Sequence, residues 1–206
     1  MKKLLPFLCF CIFSLPSHAL LLFTLQENGP DVELTVSGSL TSLSGLSSAG
    51  VSAPIVGLVN PNTVIIQTGT NLTGELFLPT VGSITGDLNF GAGTLLNANL
   101  NDGGSAIVGL DLTLGLGAGA LILPSGYSAG TPVTGGGTFT GQSLASMGVT
   151  PGVYSWTWTG AGDSVQLNAV SAIPEPGTYI AALGMLGLVG FVWMRRKRMA
   201  STMSEV

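Results

Sequence analysis

The sequence predicts an all-β fold. The expected architecture is an antiparallel β-sandwich or jelly-roll-like body, carried between an N-terminal signal helix and one C-terminal transmembrane helix. Three observations predict it. Apolar and polar residues alternate with period two in several short runs, and no stretch of the body shows a period of 3.6. Gly, Pro and Asn punctuate the chain densely, with 31 glycines among 206 residues. Charge is also segregated. All six Lys and Arg residues lie at the two ends, and residues 20–173 carry Glu27, Asp31, Glu33, Glu75, Asp87, Asp102, Asp111 and Asp163 with no cation between them.

Residues 1–19 read as a signal peptide. Lys2 and Lys3 form the positive n-region, and an apolar run from residue 4 to residue 15 follows, broken by Pro6 and Ser14. Pro16 ends the run. Ser17-His18-Ala19 then sets small residues at the two positions a signal peptidase reads, so the cut is expected between Ala19 and Leu20. The run is short for a bilayer span, which argues against an uncleaved anchor. Leu20 stands where a lipoprotein would need Cys. Cys9, Cys11 and His18 all lie in this segment, so the body is left without Cys or His.

Residues 20–172 form the expected extracellular β-rich domain. Val32, Leu34 and Val36 alternate with Asp31, Glu33 and Thr35. Leu110, Leu112, Leu114 and Leu116 alternate with Asp111, Thr113 and Gly115, which predicts a longer strand there. Thr138-Phe139-Thr140 is a shorter case. Val64 to Ile66 and Leu76 to Leu78 are brief apolar runs. Turns are expected at Asn60-Pro61-Asn62, Pro79, Asp102-Gly103-Gly104, Pro124-Ser125-Gly126 and Gly135-Gly136-Gly137. The clearest unit lies late in the chain. Tyr154, Trp156 and Trp158 alternate with Ser155, Thr157 and Thr159, then comes Gly160-Ala161-Gly162-Asp163, then Val165, Leu167 and Ala169 at period two. This pattern predicts a hairpin with three aromatics on one face.

Two readings of that face stand side by side. Exposed rings would form a platform on which sugars stack. Buried rings would be the largest core side chains of a domain poor in aromatics, a reading favoured by the aliphatic partners Val165 and Leu167. Asn97, Asn99, Asn101 and Asp102 have a spacing reminiscent of a calcium loop, but one charge and no downstream bidentate Glu favour a polar turn. No catalytic residue, cofactor or metal ligand is expected. The body lacks His as general base and the Cys and His of zinc sites, and no Lys follows its glycine-rich stretches as a phosphate loop requires. Paired carboxylates remain the one chemistry formally open to it. A body without cations has nothing with which to neutralise phosphates, so nucleic acid is not an expected partner.

The C-terminal segment has three parts. Pro174-Glu175-Pro176 removes two backbone donors and holds the chain extended. Residues 177–194 carry no charge and, as a helix, would span about 27 Å, near the hydrocarbon thickness. Tyr179 and Trp193 stand near its two ends, where aromatics favour the interface. Arg195, Arg196, Lys197 and Arg198 follow at once. The positive-inside rule keeps this basic stop in the cytoplasm and the body outside, with residues 199–206 as a short cytoplasmic end.

This succession resembles a PEP-CTERM sorting domain, also known as an ice-binding-protein C-terminal domain, a title that implies no ice binding here. Residues 143–158 and 160–165 also resemble a segment often found before such tails. The resemblance implies a Gram-negative host with an exosortase, a membrane-embedded cysteine transpeptidase that cuts near Pro174–Pro176. It implies an address at the cell surface, associated with exopolysaccharide or biofilm matrix. The expected partners are therefore the Sec machinery and signal peptidase, the exosortase, and exopolysaccharide, with the inner membrane holding the precursor and its body in the periplasm. The expected function is a non-enzymatic structural or adhesive one. The alternative is a carbohydrate-binding module acting through Tyr154, Trp156 and Trp158.

Overall fold

The computed structural model describes residues 19–51, 55–72, 74–99, 107–160, 162–172 and residue 185. The chain divides into two compact units, Met1–Ser171 and Ala172–Val206, and the strands of the described residues lie in the first.

Among the described residues thirteen strands follow in order: β1 (Leu20–Asn28), β2 (Asp31–Gly38), β3 (Leu46–Val51), β4 (Ile55–Asn60), β5 (Ile65–Leu72), β6 (Gly74–Pro79), β7 (Thr85–Gly86), β8 (Leu96–Asn97), β9 (Val108–Asp111), β10 (Ala120–Pro124), β11 (Val133–Phe139), β12 (Gly152–Thr157) and β13 (Ser164–Val170). They form a six-stranded sheet, β11-β2-β1-β13-β12-β7, and a seven-stranded sheet, β3-β6-β10-β9-β5-β4-β8.

The alternation read in the sequence sets the inner face of the first sheet. Leu21, Phe23 and Leu25 of β1 point inward, as do Val32, Leu34 and Val36 of β2 and Val165, Leu167 and Ala169 of β13. Register stacks them in rows, with Phe23 opposite both Val36 and Leu167. The second sheet supplies Val59, Ile66, Phe77, Leu110 and Leu121 to the same apolar cluster. One core therefore lies between two sheets, as period-two patterning with one buried face requires. The β1–β2 connection is a two-residue loop, Gly29-Pro30, in which Gly29 takes a φ of 61°.

Three expectations are corrected. First, the pairing is not wholly antiparallel: β1 runs parallel to β13, with Leu20 opposite Ser164 through Gln26 opposite Val170. A parallel pair needs a long crossover, and the first and last strands of the body have nearly the whole chain between them. Second, the strand expected through Leu116 stops at Asp111. The Asp111 carboxylate accepts the N–H of Thr113 at 2.8 Å and its hydroxyl at 2.6 Å, which turns the chain. A 3-10 turn at Gly115–Gly117 follows and leaves Leu116 fully exposed. Local turn chemistry overrides the leucine repeat.

Third, Gly135, Gly136 and Gly137 do not punctuate the chain. They lie inside β11, opposite Val36, Thr35 and Leu34. This strand of the first sheet brings Cα atoms within 8 Å of β4, β5 and β9 in the second, closer than the usual sheet spacing of about 10 Å. The expected strands at 32–36 and 76–78 are present; of the expected 138–140 run Thr138 and Phe139 lie in β11 and Thr140 already turns; the late hairpin is present, with Trp158 one residue past β12.

Candidate functional site

The late hairpin has the predicted register, with Trp156 opposite Val165 and Tyr154 opposite Leu167. Its alternation turns the large rings inward. Trp156 is 0 % exposed and Trp158 5 % exposed, while Val153 on the opposite face is 61 % exposed. Each indole N–H finds a carbonyl: Trp156 Nε1 donates to Asp87 O at 2.7 Å and Trp158 Nε1 to Ser44 O at 3.3 Å. Tyr154 is half-buried. Its ring lies 5.9 Å from that of Phe90, tilted by 56°, and its hydroxyl donates to Thr150 O at 2.8 Å. Burial, then the neighbouring Asp87 carboxylate, pushes that hydroxyl's pKa up. A sugar platform needs open ring faces. The alternative of stacking through all three rings is therefore corrected: Trp156 and Trp158 are core, placed there by the burial of large apolar surface, and Tyr154 packs half-buried against that core.

The carboxylates have partners of a consistent kind. Glu27 accepts the Leu144 N–H at 2.7 Å and Asp31 that of Gly141 at 2.8 Å. Asp87 accepts the Ser155 N–H at 2.9 Å, and Glu33 accepts the Asn28 side-chain amide at 2.8 Å. Glu75 accepts from the Ser48 hydroxyl and, at 3.2 Å, from the Gly126 N–H. These donors, the Ser48 hydroxyl first, lower the Glu75 pKa. Most of these bonds join segments far apart in the chain, so the acids act as loop staples. No group of three metal-ligating residues occurs among the described residues. Asn97 lies in β8, the Asn99 side-chain oxygen accepts the Thr140 N–H at 3.1 Å, and Asn101 and Asp102 lie outside the described residues. A concavity of about 300 Å³ beside Pro124, Tyr127 and Val133 has no acid in its lining, and one of about 250 Å³ along β2 and β11 has Glu33. Neither offers the facing carboxylate pair that glycoside hydrolysis requires.

The start of the body lies against the start of β13. Ala19 lies directly before β1, and its carbonyl accepts the Ser164 N–H at 3.2 Å. Its own N–H donates to Asp163 Oδ1 at 3.3 Å. Asp163 also accepts the Thr41 hydroxyl at 2.6 Å and the Ser42 N–H at 3.0 Å. Sequence reading placed Ala19 and Leu20 at a cleavage site but gave no sign of this junction. Thr41, Ser42 and Asp163 are distant in the chain, and only the sheet order brings them together.

At the other end, β13 stops at Val170 and the continuous description ends at Ala172. A family model described as the PEP-CTERM protein-sorting motif matches residues 172–197, beginning two residues beyond the last strand. The chain carries a PEP-CTERM sorting motif. The match takes in Pro174, Glu175, Pro176 and the apolar segment, and it reaches Arg195, Arg196 and Lys197, with Arg198 next. No curated protein and no solved structure matches the chain. The motif makes the chain an export substrate, with an exosortase as its processing partner and the cell surface as its address. Residues 1–18, Pro174–Pro176, residues 195–198 and all of the expected span 177–194 except Met185 lie outside the described residues. Among the described residues no helix is long and apolar enough to cross a membrane.

Proposed function

We propose that this PEP-CTERM protein is a non-enzymatic structural or adhesive component of the cell surface or extracellular matrix, acting in an exopolysaccharide or biofilm setting. Its route begins at the Sec machinery. Signal peptidase removes residues 1–19, and residues 177–194 hold the precursor in the inner membrane with the body, a β-sandwich, in the periplasm. The basic cluster 195–198 stays in the cytoplasm. The exosortase then cuts near Pro174–Pro176 and delivers the body.

The observation that carries this reading is the sorting motif starting two residues after β13. A processing enzyme needs an extended substrate, and prolines at positions 174 and 176 of the sequence favour one. The non-enzymatic part draws support from the acids. Glu27, Asp31, Glu33, Glu75, Asp87, Asp111 and Asp163 each hold a backbone or side-chain donor, and no His, Cys, Lys or Arg lies within residues 20–173 to work beside them. Replacing Pro174, Glu175 and Pro176 together by alanine in an exosortase-bearing host tests the sorting step. The altered chain should stay in the inner-membrane fraction while the unaltered body reaches the surface. Equal surface delivery of both would contradict the reading. For the matrix role, deleting the chain from its native host should weaken surface-attached growth.

A further inference from the structure

The junction around Asp163 contains a carboxylate for which the proposed function has no use. Asp163 is 1 % exposed, and its oxygens take three neutral donors: the Ala19 N–H, the Thr41 hydroxyl and the Ser42 N–H. A carboxylate withdrawn from water is costly to keep, and a cationic partner offsets that cost best. Residues 20–173 contain no side chain able to serve. One cation can still arise there, namely an α-amino group produced by peptide-bond hydrolysis. The bond expected to break, Ala19–Leu20, lies directly beyond the amide that Asp163 already holds. The Leu20 nitrogen sits one residue along from it, and successive Cα atoms are about 3.8 Å apart.

Resting on the reading that signal peptidase cuts after Ala19, we infer that Asp163 is the binding site for the new N-terminus. Hydrolysis consumes one water, releases Ala19 as a carboxylate and leaves Leu20 with an ammonium group. That ammonium takes the place of the departed Ala19 amide and pairs with Asp163. The pair ties together the start of β1, the 39–45 loop through Thr41 and Ser42, and the turn that leads into β13.

The same geometry sets the order of events. Ala19 uses both its N–H and its C=O inside the fold, and β1 is paired along one edge with β2 and along the other with β13. A protease cannot grip a strand held in this way, so cleavage precedes closure of the body. The closed body then carries an ion pair that an uncut precursor lacks.

The composition makes the test clean. With no Lys, His or Cys between residues 20 and 173, the α-amine is the body's one group that ordinarily titrates near pH 8. The charged and titratable groups on the surrounding elements are Glu27 at the far end of β1, Asp31 and Glu33 at the far end of β2, and Asp87 and Tyr154 at β12. Tyr127 is the last, its hydroxyl accepting the Leu40 N–H at 2.9 Å. Burial, then the Asp87 carboxylate, moves the Tyr154 hydroxyl further from this range. Pairing raises the amine's pKa in the folded state. Its stabilisation is therefore full below the unfolded value and is lost as pH rises through the folded one.

The experiment takes the protein processed at both ends from an exporting host and reads its N-terminus by mass spectrometry. Its unfolding temperature is then followed from about pH 6.5 to about pH 9.5. The same scan is run after acetylation of the α-amine with acetic anhydride, and on Asp163→Asn. The untreated protein should lose about 3–5 °C for each unit by which pairing raises the amine's pKa. The acetylated protein and the variant should show no such loss. Should the variant fail to fold, the acetylated protein carries the comparison. A flat profile in untreated protein that begins at Leu20 overturns the inference and leaves the cleavage reading standing. So does a loss that survives acetylation. A terminus other than Leu20 overturns the cleavage reading and the inference with it.

Discussion

With no cation between residues 20 and 173, the carboxylates of the body take their partners from N–H and O–H groups, most of them backbone amides of distant segments. Acid should loosen the staple at Glu75. The Ser48 hydroxyl, then the Gly126 amide, hold its pKa below the ordinary carboxylate value. A lowered folded-state pKa means that the stabilisation is present above the unfolded value and lost as pH falls through the folded one. Urea midpoints measured down from about pH 5.5 to about pH 3 should therefore fall more steeply in the unaltered protein than in Glu75→Gln. Parallel slopes would contradict the staple. The aromatics give a second residue-scale prediction. Trp156 is fully buried with its N–H bonded, so Trp156→Ala should cost about 3–5 kcal/mol in urea unfolding. A cost under about 1 kcal/mol would put the ring back on the surface.

The element scale is where patterning was most and least legible. The strands β2, β12 and β13 follow from alternation: the apolar residues of β2 and β13 are the buried ones, and in β12 Trp156 is buried and Tyr154 half-buried. β1 was not read as a strand at all. Leu20-Leu21-Leu22-Phe23 continues the apolar character of the signal segment and hides the alternation of Leu21, Phe23 and Leu25. The leucine repeat from Leu110 misled because Asp111 bonds its own loop and Gly115 and Gly117 release the chain from the sheet. The glycine run of β11 misled because its pairing with Val36, Thr35 and Leu34 of a distant strand leaves no mark on a local pattern. The turn between β2 and β3 yields a prediction. A Cβ on Gly45 would stand 1.8 Å from the Thr159 carbonyl oxygen, and Gly45 has a φ of 81°. At Gly29, with a φ of 61°, nothing lies within 4 Å. Gly29→Ala should therefore cost about 1–2 kcal/mol from backbone strain alone, and Gly45→Ala distinctly more. Equal midpoint shifts in denaturant would show that the 39–45 loop does not dock against the last turn.

For the whole molecule, the sequence was most informative at its ends. Apolar length, flanking charge and proline placement are one-dimensional signals, and the sorting motif matched at residues 172–197 is made of them. The junction at Asp163 was illegible because it depends on the parallel pairing of the first and last strands, a three-dimensional fact. Maturation should also be visible in the charge of the molecule. The precursor carries six Lys and Arg residues against ten acids and has a sequence pI of about 4.6. A body cut at both ends keeps the eight acids of residues 20–173 and no basic side chain. Its isoelectric point should thus fall below the precursor's on a focusing gel. The central claim is that the chain is delivered by two cuts, one at each end of a closed β body. Intact-mass measurement of the protein recovered from the surface of its native host tests this most directly. The account predicts a species that begins at Leu20 and ends near Pro174–Pro176; a surface species that still extends to Val206 would contradict it.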